Sequence, residues 1–196
     1  TFLMLEALAS DVDDFKRLRP TLCLEIGSGS GAGLTGLSML LRQVVATPPV
    51  FIAVDKNPDA AACSSMLLNS CGAKQHIVVQ TSFTSGLRLE GRVDIGFCNP
   101  PYVPTPAEEM EGCGISISWA GGDRGRVMID MLIPQISTLL SPGGIFYLLC
   151  LAENAPEEIL ATAIESSNGC LRGKVVRKEQ RGIEELYILR FDKHRI

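Results

Sequence analysis

Short aliphatic runs without in-out alternation, spaced by helix-length stretches, constrain the fold of this chain more than any other feature. The runs are Leu22 to Ile26, Phe51 to Val54, Ile77 to Val79, Val93 to Cys98 and Ile145 to Leu151. A strand that is apolar on both faces must be covered on both, as parallel strands in α/β sheets are. Leu34 to Gln43, Asp59 to Asn69, Gly125 to Leu140 and Pro156 to Ser167 lie between or after these runs and have helical character, as does Thr1 to Ala9. Asp59, next to Pro58, suits a first helical turn, where an acid complements the positive end of the dipole. Ser141-Pro142-Gly143-Gly144 predicts a turn ahead of the last aliphatic run. The C-terminal pattern differs: Lys174 to Lys178 and Leu186 to Phe191 flank a polar turn at Gly182, which predicts an antiparallel hairpin at the sheet edge. The expected architecture is a doubly wound α/β fold, with a mostly parallel seven-stranded sheet ending in that hairpin. His76 to Gln80 should form an edge strand, whose unpaired backbone groups invite a partner.

The 196 residues, 46% of them hydrophobic, suit one domain spanning 1–196 around one core, and a short segment is expected to be missing ahead of Thr1. No aliphatic run approaches the ~18 residues of a membrane span. A net charge of -4 argues against a broad phosphate-binding surface. The basic residues of Arg172 to Arg181 are diluted by Glu179, Glu184 and Glu185, and read as a solvated face. The seven cysteines show neither zinc-site pairs nor an even disulfide framework, so most are expected to be small buried hydrophobes of an intracellular protein. His76 and His194 fall in no metal-ligand pattern and are read as structural.

The first aliphatic run leads into Gly27-Ser28-Gly29-Ser30-Gly31 and then helix-like sequence. In a doubly wound sheet such a turn lets backbone approach a ligand at the carboxyl ends of the strands. A tight turn chosen only for backbone geometry is the competing reading. Asp55, ending the second strand, could accept hydrogen bonds from both hydroxyls of a ribose. A nicotinamide enzyme uses the same device, but Gly27, Gly29 and Ala32 meet the dinucleotide fingerprint only loosely. Glu25 ahead of the glycines favours an E-x-G-x-G-x-G reading, in which an acid faces the cationic end of S-adenosylmethionine. Its alternative role is to cap nearby backbone amides.

Asn99-Pro100-Pro101-Tyr102 follows the fourth strand directly. An amide or aromatic NH2 is a poor nucleophile because its lone pair is delocalised. Two acceptors can hold its hydrogens while the lone pair turns towards a methyl sulfonium. Asn99 offers its side-chain carbonyl and Pro100 its backbone carbonyl. Pro101 restricts the residue before it, and Tyr102 offers a flat face for stacking. The catalytic candidates are therefore Asn99, Pro100 and Tyr102, acting by positioning and electrostatics rather than by general base catalysis.

With these motifs the chain resembles the HemK-like protein-glutamine N5-methyltransferases, most closely their short eukaryotic branch. Thr1-Phe2-Leu3, Asp55-Lys56-Asn57-Pro58, Trp119-Ala120-Gly121-Gly122 and Leu140 to Gly144 add to the likeness. The resemblance implies a class I, Rossmann-like methyltransferase with S-adenosyl-L-methionine as cofactor. It implies cofactor contacts at Thr1, Glu25, Gly27, Asp55 and Asn99, to which the glycine loop adds Gly29, and a substrate glutamine held by Asn99, Pro100, Pro101 and Tyr102. It further implies the Gly-Gly-Gln glutamine of a class I translation release factor as substrate, a small zinc-binding activator subunit as partner in a heterodimer, and a cytoplasmic, also nuclear, location. One departure stands out: Ser82, followed by Phe83, occupies the position where the family usually has an aspartate for the adenine amino group. Ser82 can still accept that bond, and Phe83 is expected to pack on the ring. Adenine-N6 or other nucleic-acid amino-group methylation, lysine methylation and a catalytically silent subunit remain open on sequence. Trp119 is either part of a functional loop or an ordinary packed side chain, and Glu108, Glu109 and Glu111 are expected to form an acidic substrate-entry rim.

Overall fold

The computed structural model describes residues 1–106 and 119–194. Helices α1 (Phe2–Ser10) and α2 (Val12–Leu18) precede strand β1 (Leu22–Ile26). Then follow α3 (Ala32–Val44), β2 (Val50–Asp55), α4 (Pro58–Ser70), β3 (His76–Gln80) and β4 (Val93–Cys98). The rest is α5 (Val127–Leu139), β5 (Leu140–Leu151), α6 (Pro156–Ser166), β6 (Leu171–Arg181) and β7 (Glu184–Lys193). The seven strands lie in the order β3-β2-β1-β4-β5-β7-β6, the first five parallel, β7 antiparallel to β5, and β6 antiparallel to β7. This is the expected sheet, with β3 at one edge and the hairpin at the other.

Alternate residues of each parallel strand serve opposite faces. Leu24, Ile26, Phe146 and Leu148 pack with Ile129, Ile133 and Ile136 of α5 and Ile159 of α6. Cys23, Phe97, Tyr147 and Leu149 pack with Leu3, Leu8, Phe15, Leu34 and Leu37 on the other side. Burial on both faces is the physical reason for the unbroken aliphatic runs. Asn57 caps α4 by accepting from the Asp59 amide at 3.0 Å, with Pro58 opening the helix.

Two expectations need correction, and one helix lies outside the expected set. α2 has too few apolar residues to announce itself, burying only Phe15. The glycine turn at residues 141–144 does not precede β5 but bulges within it: pairing jumps from Val93↔Leu140 to Ile95↔Ile145, Gly143 adopts φ 82°, and Ser141 Oγ donates to Asp94 across the gap at 2.5 Å. Of the six described cysteines only Cys23, Cys98 and Cys150 are buried, while Cys63 is exposed on α4. β6 exposes its basic residues as expected, Lys178 pairing with Glu185 at 2.8 Å. No described helix is long and apolar enough to cross a membrane.

Candidate active site

Strand order reverses between β1 and β4, and in open α/β sheets the ligand crevice opens at the carboxyl ends of such a pair. Register puts Ile26 beside Cys98, so the chain leaves β1 as Gly27 and β4 as Asn99 at neighbouring positions. The glycine loop and the Asn-Pro-Pro-Tyr segment therefore share one crevice.

Gly27, Gly29 and Gly31 all have positive φ, at 71°, 52° and 77°. Space sorts them by role. A Cβ on Gly27 or Gly29 would meet nothing within 4 Å, whereas one on Gly31 would collide with Ser64 of α4. The first two glycines front open space and the third is a packing glycine. Ser64 braces the loop, sharing a hydrogen bond with the Ser28 hydroxyl at 2.8 Å and donating to the Gly29 carbonyl at 3.1 Å.

Asp55 ends β2, its carboxylate accepting from the Gly29 amide at 2.8 Å and the Asn57 amide at 2.9 Å. Each oxygen keeps acceptor capacity for a ribose hydroxyl. The Thr81 amide donates to the Asp55 carbonyl at 2.9 Å, which brings the Ser82 turn alongside. Ser82 is exposed there, and Phe83, at φ 50°, packs partly against the α5 face of the core.

Glu25 is 5% exposed and accepts from the Leu34 amide at 2.9 Å, so it does cap backbone from inside the fold. Gly33 leaves room for that carboxyl, because a Cβ there would overlap it. Burial pushes the Glu25 pKa up to about 8; the Leu34 hydrogen bond opposes the rise and the charge of Asp55 adds to it. Thr1 is exposed at the N-cap of α1.

The Oδ1 atom of Asn99 is buried with no hydrogen-bond partner among the described residues. Pro100 is buried behind it, and Tyr102 is half-buried, touching both faces of the core. Burial raises the Tyr102 phenol pKa; Glu184 raises it further and Arg181 opposes, so the hairpin turn stands near the ring. The Trp119-Ala120-Gly121-Gly122 segment runs beside the residues after Tyr102: the Val103 amide donates to Trp119 at 3.1 Å and the Gly121 amide to Val103 at 2.8 Å. Trp119 itself is half-exposed. Glu108, Glu109 and Glu111 lie outside the described residues.

Asn154 carried no sequence signal. It lies in the 3-10 turn Ala152–Asn154 after β5, is wholly buried, and donates from Nδ2 to the carbonyls of Tyr102 and Arg124, both at 2.8 Å. Only the fold brings it to the motif, across 52 residues of sequence.

No protein-family profile matches the chain. Individual proteins do. It is 40% identical over 196 residues to the human protein Methyltransferase HEMK2, covering 98% of this chain and 86% of the human one. It is 34% identical over 202 residues to the Schizosaccharomyces pombe protein named eRF1 methyltransferase catalytic subunit mtq2, covering 97% and 85%. Among solved structures, the E. cuniculi Mtq2-Trm112 complex, described as responsible for methylation of the eRF1 translation termination factor, matches with a TM-score of 0.65 at 21% identity, covering 96% of this chain and 95% of that one.

Proposed function

The chain belongs to the HEMK2 family of methyltransferases, and we propose that it methylates the side-chain amide of the glutamine in a Gly-Gly-Gln motif of a translation release factor. The observation that carries this reading is Asn99 Oδ1, buried without a hydrogen-bond partner among the described residues, where the chain leaves β4 beside the glycine loop. A buried acceptor without a donor is costly, and an incoming NH2 group removes that cost. S-adenosylmethionine supplies an electrophilic methyl group when bound. The residues present fit it: Gly27 and Gly29 front open space, Asp55 retains acceptors for ribose, and Glu25 is a buried acid two residues ahead of Gly27.

The protein's own contribution is positioning. Asn99 Oδ1 accepts one amide hydrogen and the Pro100 carbonyl the other, so the nitrogen can pyramidalise with its lone pair turned towards the methyl group. Tyr102 stacks on the planar amide. Both acceptors are held before reaction, so little reorganisation is needed as charge develops on nitrogen.

The same reading includes a small zinc-binding activator subunit, seated on the β3 edge, and a cytoplasmic, also nuclear, site of action. The E. cuniculi complex, with its second subunit, supports the partner, and the edge position of β3 supports its seat. Labelled S-adenosylmethionine, the purified protein with its partner, and either a release factor, its Gln→Ala variant, a histone or DNA form the test. Label on the wild-type release factor alone is expected. Label on DNA or histone, with the release factor blank, would overturn the reading.

A further inference from the structure

We propose that Asn154 is a positioning residue for methyl transfer, acting as a clamp that sets the acceptor loop through the Tyr102 carbonyl. The inference rests on the functional reading above. Asn154 is 0% exposed and uses both ends of its amide: Oδ1 accepts from the Leu151 amide at 2.6 Å, and Nδ2 donates to Tyr102 and to Arg124 at 2.8 Å each. One side chain thus joins the end of β5, the acceptor loop and the turn that follows Gly122.

A purely structural need at this point would be met by less. The Leu151 amide requires only an acceptor, which aspartate or serine supplies. A carboxylate cannot make the two donations, and their targets are the clamp's distinguishing feature. Gly125 leaves room for this bond, since any Cβ there would overlap both the Tyr102 carbonyl and the Asn154 amide nitrogen. The Tyr102 carbonyl is therefore held by an amide donor that packs against a bare glycine, two residues beyond the Pro100 carbonyl. Pro101 has a ring-restricted φ, so little freedom remains between the pinned carbonyl and the acceptor carbonyl. Arg126 backs the clamp, 8% exposed, bonding the Asn154 carbonyl at 3.4 Å and pairing with Glu158 at 3.1 Å.

The experiment compares Asn154→Ala, Asn154→Asp and, as a stability control in the same region, Ile159→Ala, each as the complex with its partner. Single-turnover rate, cofactor Kd by calorimetry and thermal midpoint are measured for all three. Asn154→Ala should lose about tenfold to a hundredfold in rate, the scale of a small misplacement of reacting groups, with cofactor Kd within about twofold. Asn154→Asp keeps the Leu151 bond but should remain as slow as Asn154→Ala. Ile159→Ala should lower the midpoint and leave the rate of the folded fraction near wild type. Recovery of rate in Asn154→Asp would show that only the Leu151 bond matters and would overturn the proposal. A rate loss in Ile159→Ala matching that of Asn154→Ala at equal midpoint would do the same. A wild-type complex inactive on the release factor would sink the functional reading and this inference with it, whereas an active wild type with active Asn154 variants sinks the inference alone.

Discussion

At the scale of single residues, Asn99 and Glu25 carry opposite kinds of unfinished electrostatics. Among the described residues, Asn99 has an acceptor without a donor. Its replacement by alanine should leave cofactor affinity within a few-fold, yet cost ~2.7 to 4 kcal/mol of activation free energy, about a hundredfold to a thousandfold in rate. Single-turnover methyl transfer beside calorimetric cofactor binding checks this, and a near wild-type rate would refute the two-acceptor mechanism. Glu25 instead holds a proton it would not hold in water, because burial lifts its pKa from 4.5 to about 8. A raised acid stabilises the fold fully below its unfolded value, and that contribution is lost as pH climbs from about 4.5 towards about 8. Glu25→Gln has no such titration. Denaturation at pH 5 and at pH 8.5 should therefore show the variant gaining on wild type by a few kcal/mol at the higher pH. If Glu25 meets a cationic cofactor group, wild-type binding releases a proton, and its affinity rises with pH across the same window while the variant's stays flat. Equal pH profiles for the two proteins would remove Glu25 from the cofactor site.

Elements differ in how far the sequence alone discloses them, and the difference follows from where their partners lie. β1, β2, β4 and the second half of β5 are apolar on both faces because helices cover both, so composition reports their burial directly. α2 is stabilised by Phe15 and by charges that meet distant groups, and the bulge in β5 depends on Ser141 reaching Asp94, so neither leaves a local periodic trace. The Asn-Pro-Pro-Tyr motif was legible because its chemistry is contiguous, whereas Asn154 reaches Tyr102 only through tertiary structure. At the β3 edge, orientation decides the useful substitution. Val78 packs into the core, while Ile77 is 52% exposed. Ile77→Lys should therefore place a charge at the edge without disturbing the interior, and co-purification with the activator subunit should fall sharply while the circular dichroism of the remaining protein is unchanged. A variant that still co-purifies stoichiometrically would move the partner off this edge.

For the molecule as a whole, the N-terminal helices are fastened to the far half of the sheet by one buried cation. Arg190 of β7, with its side chain 7% exposed, pairs with Asp11 at 2.7 Å, Asp14 at 2.6 Å and Asp192 at 2.6 Å. Tyr147 of β5 donates to Asp11 at 2.6 Å, and Phe15 meets the Tyr147 ring edge-on, so charge and apolar packing converge on the same joint. Burial alone would raise the Asp14 pKa, but the hydrogen bond and charge of Arg190 outweigh it and hold the carboxyl below 3.8. A depressed acid contributes stability above its unfolded value and loses it as pH falls through the folded one. Arg190→Met should thus cost roughly 3 kcal/mol at pH 7, near the lower end for a broken buried pair because the three acids stay partly in solvent. Without Arg190, Asp14 protonates more readily, so the deficit should shrink by pH 4 as that unpaired charge disappears. Urea denaturation of both proteins at the two pH values measures it. A deficit of the same size at pH 4 would mean that Arg190 acts through packing of its stem rather than through charge, and that the N-terminal helices are held to the sheet by the Phe15 and Leu8 contacts alone.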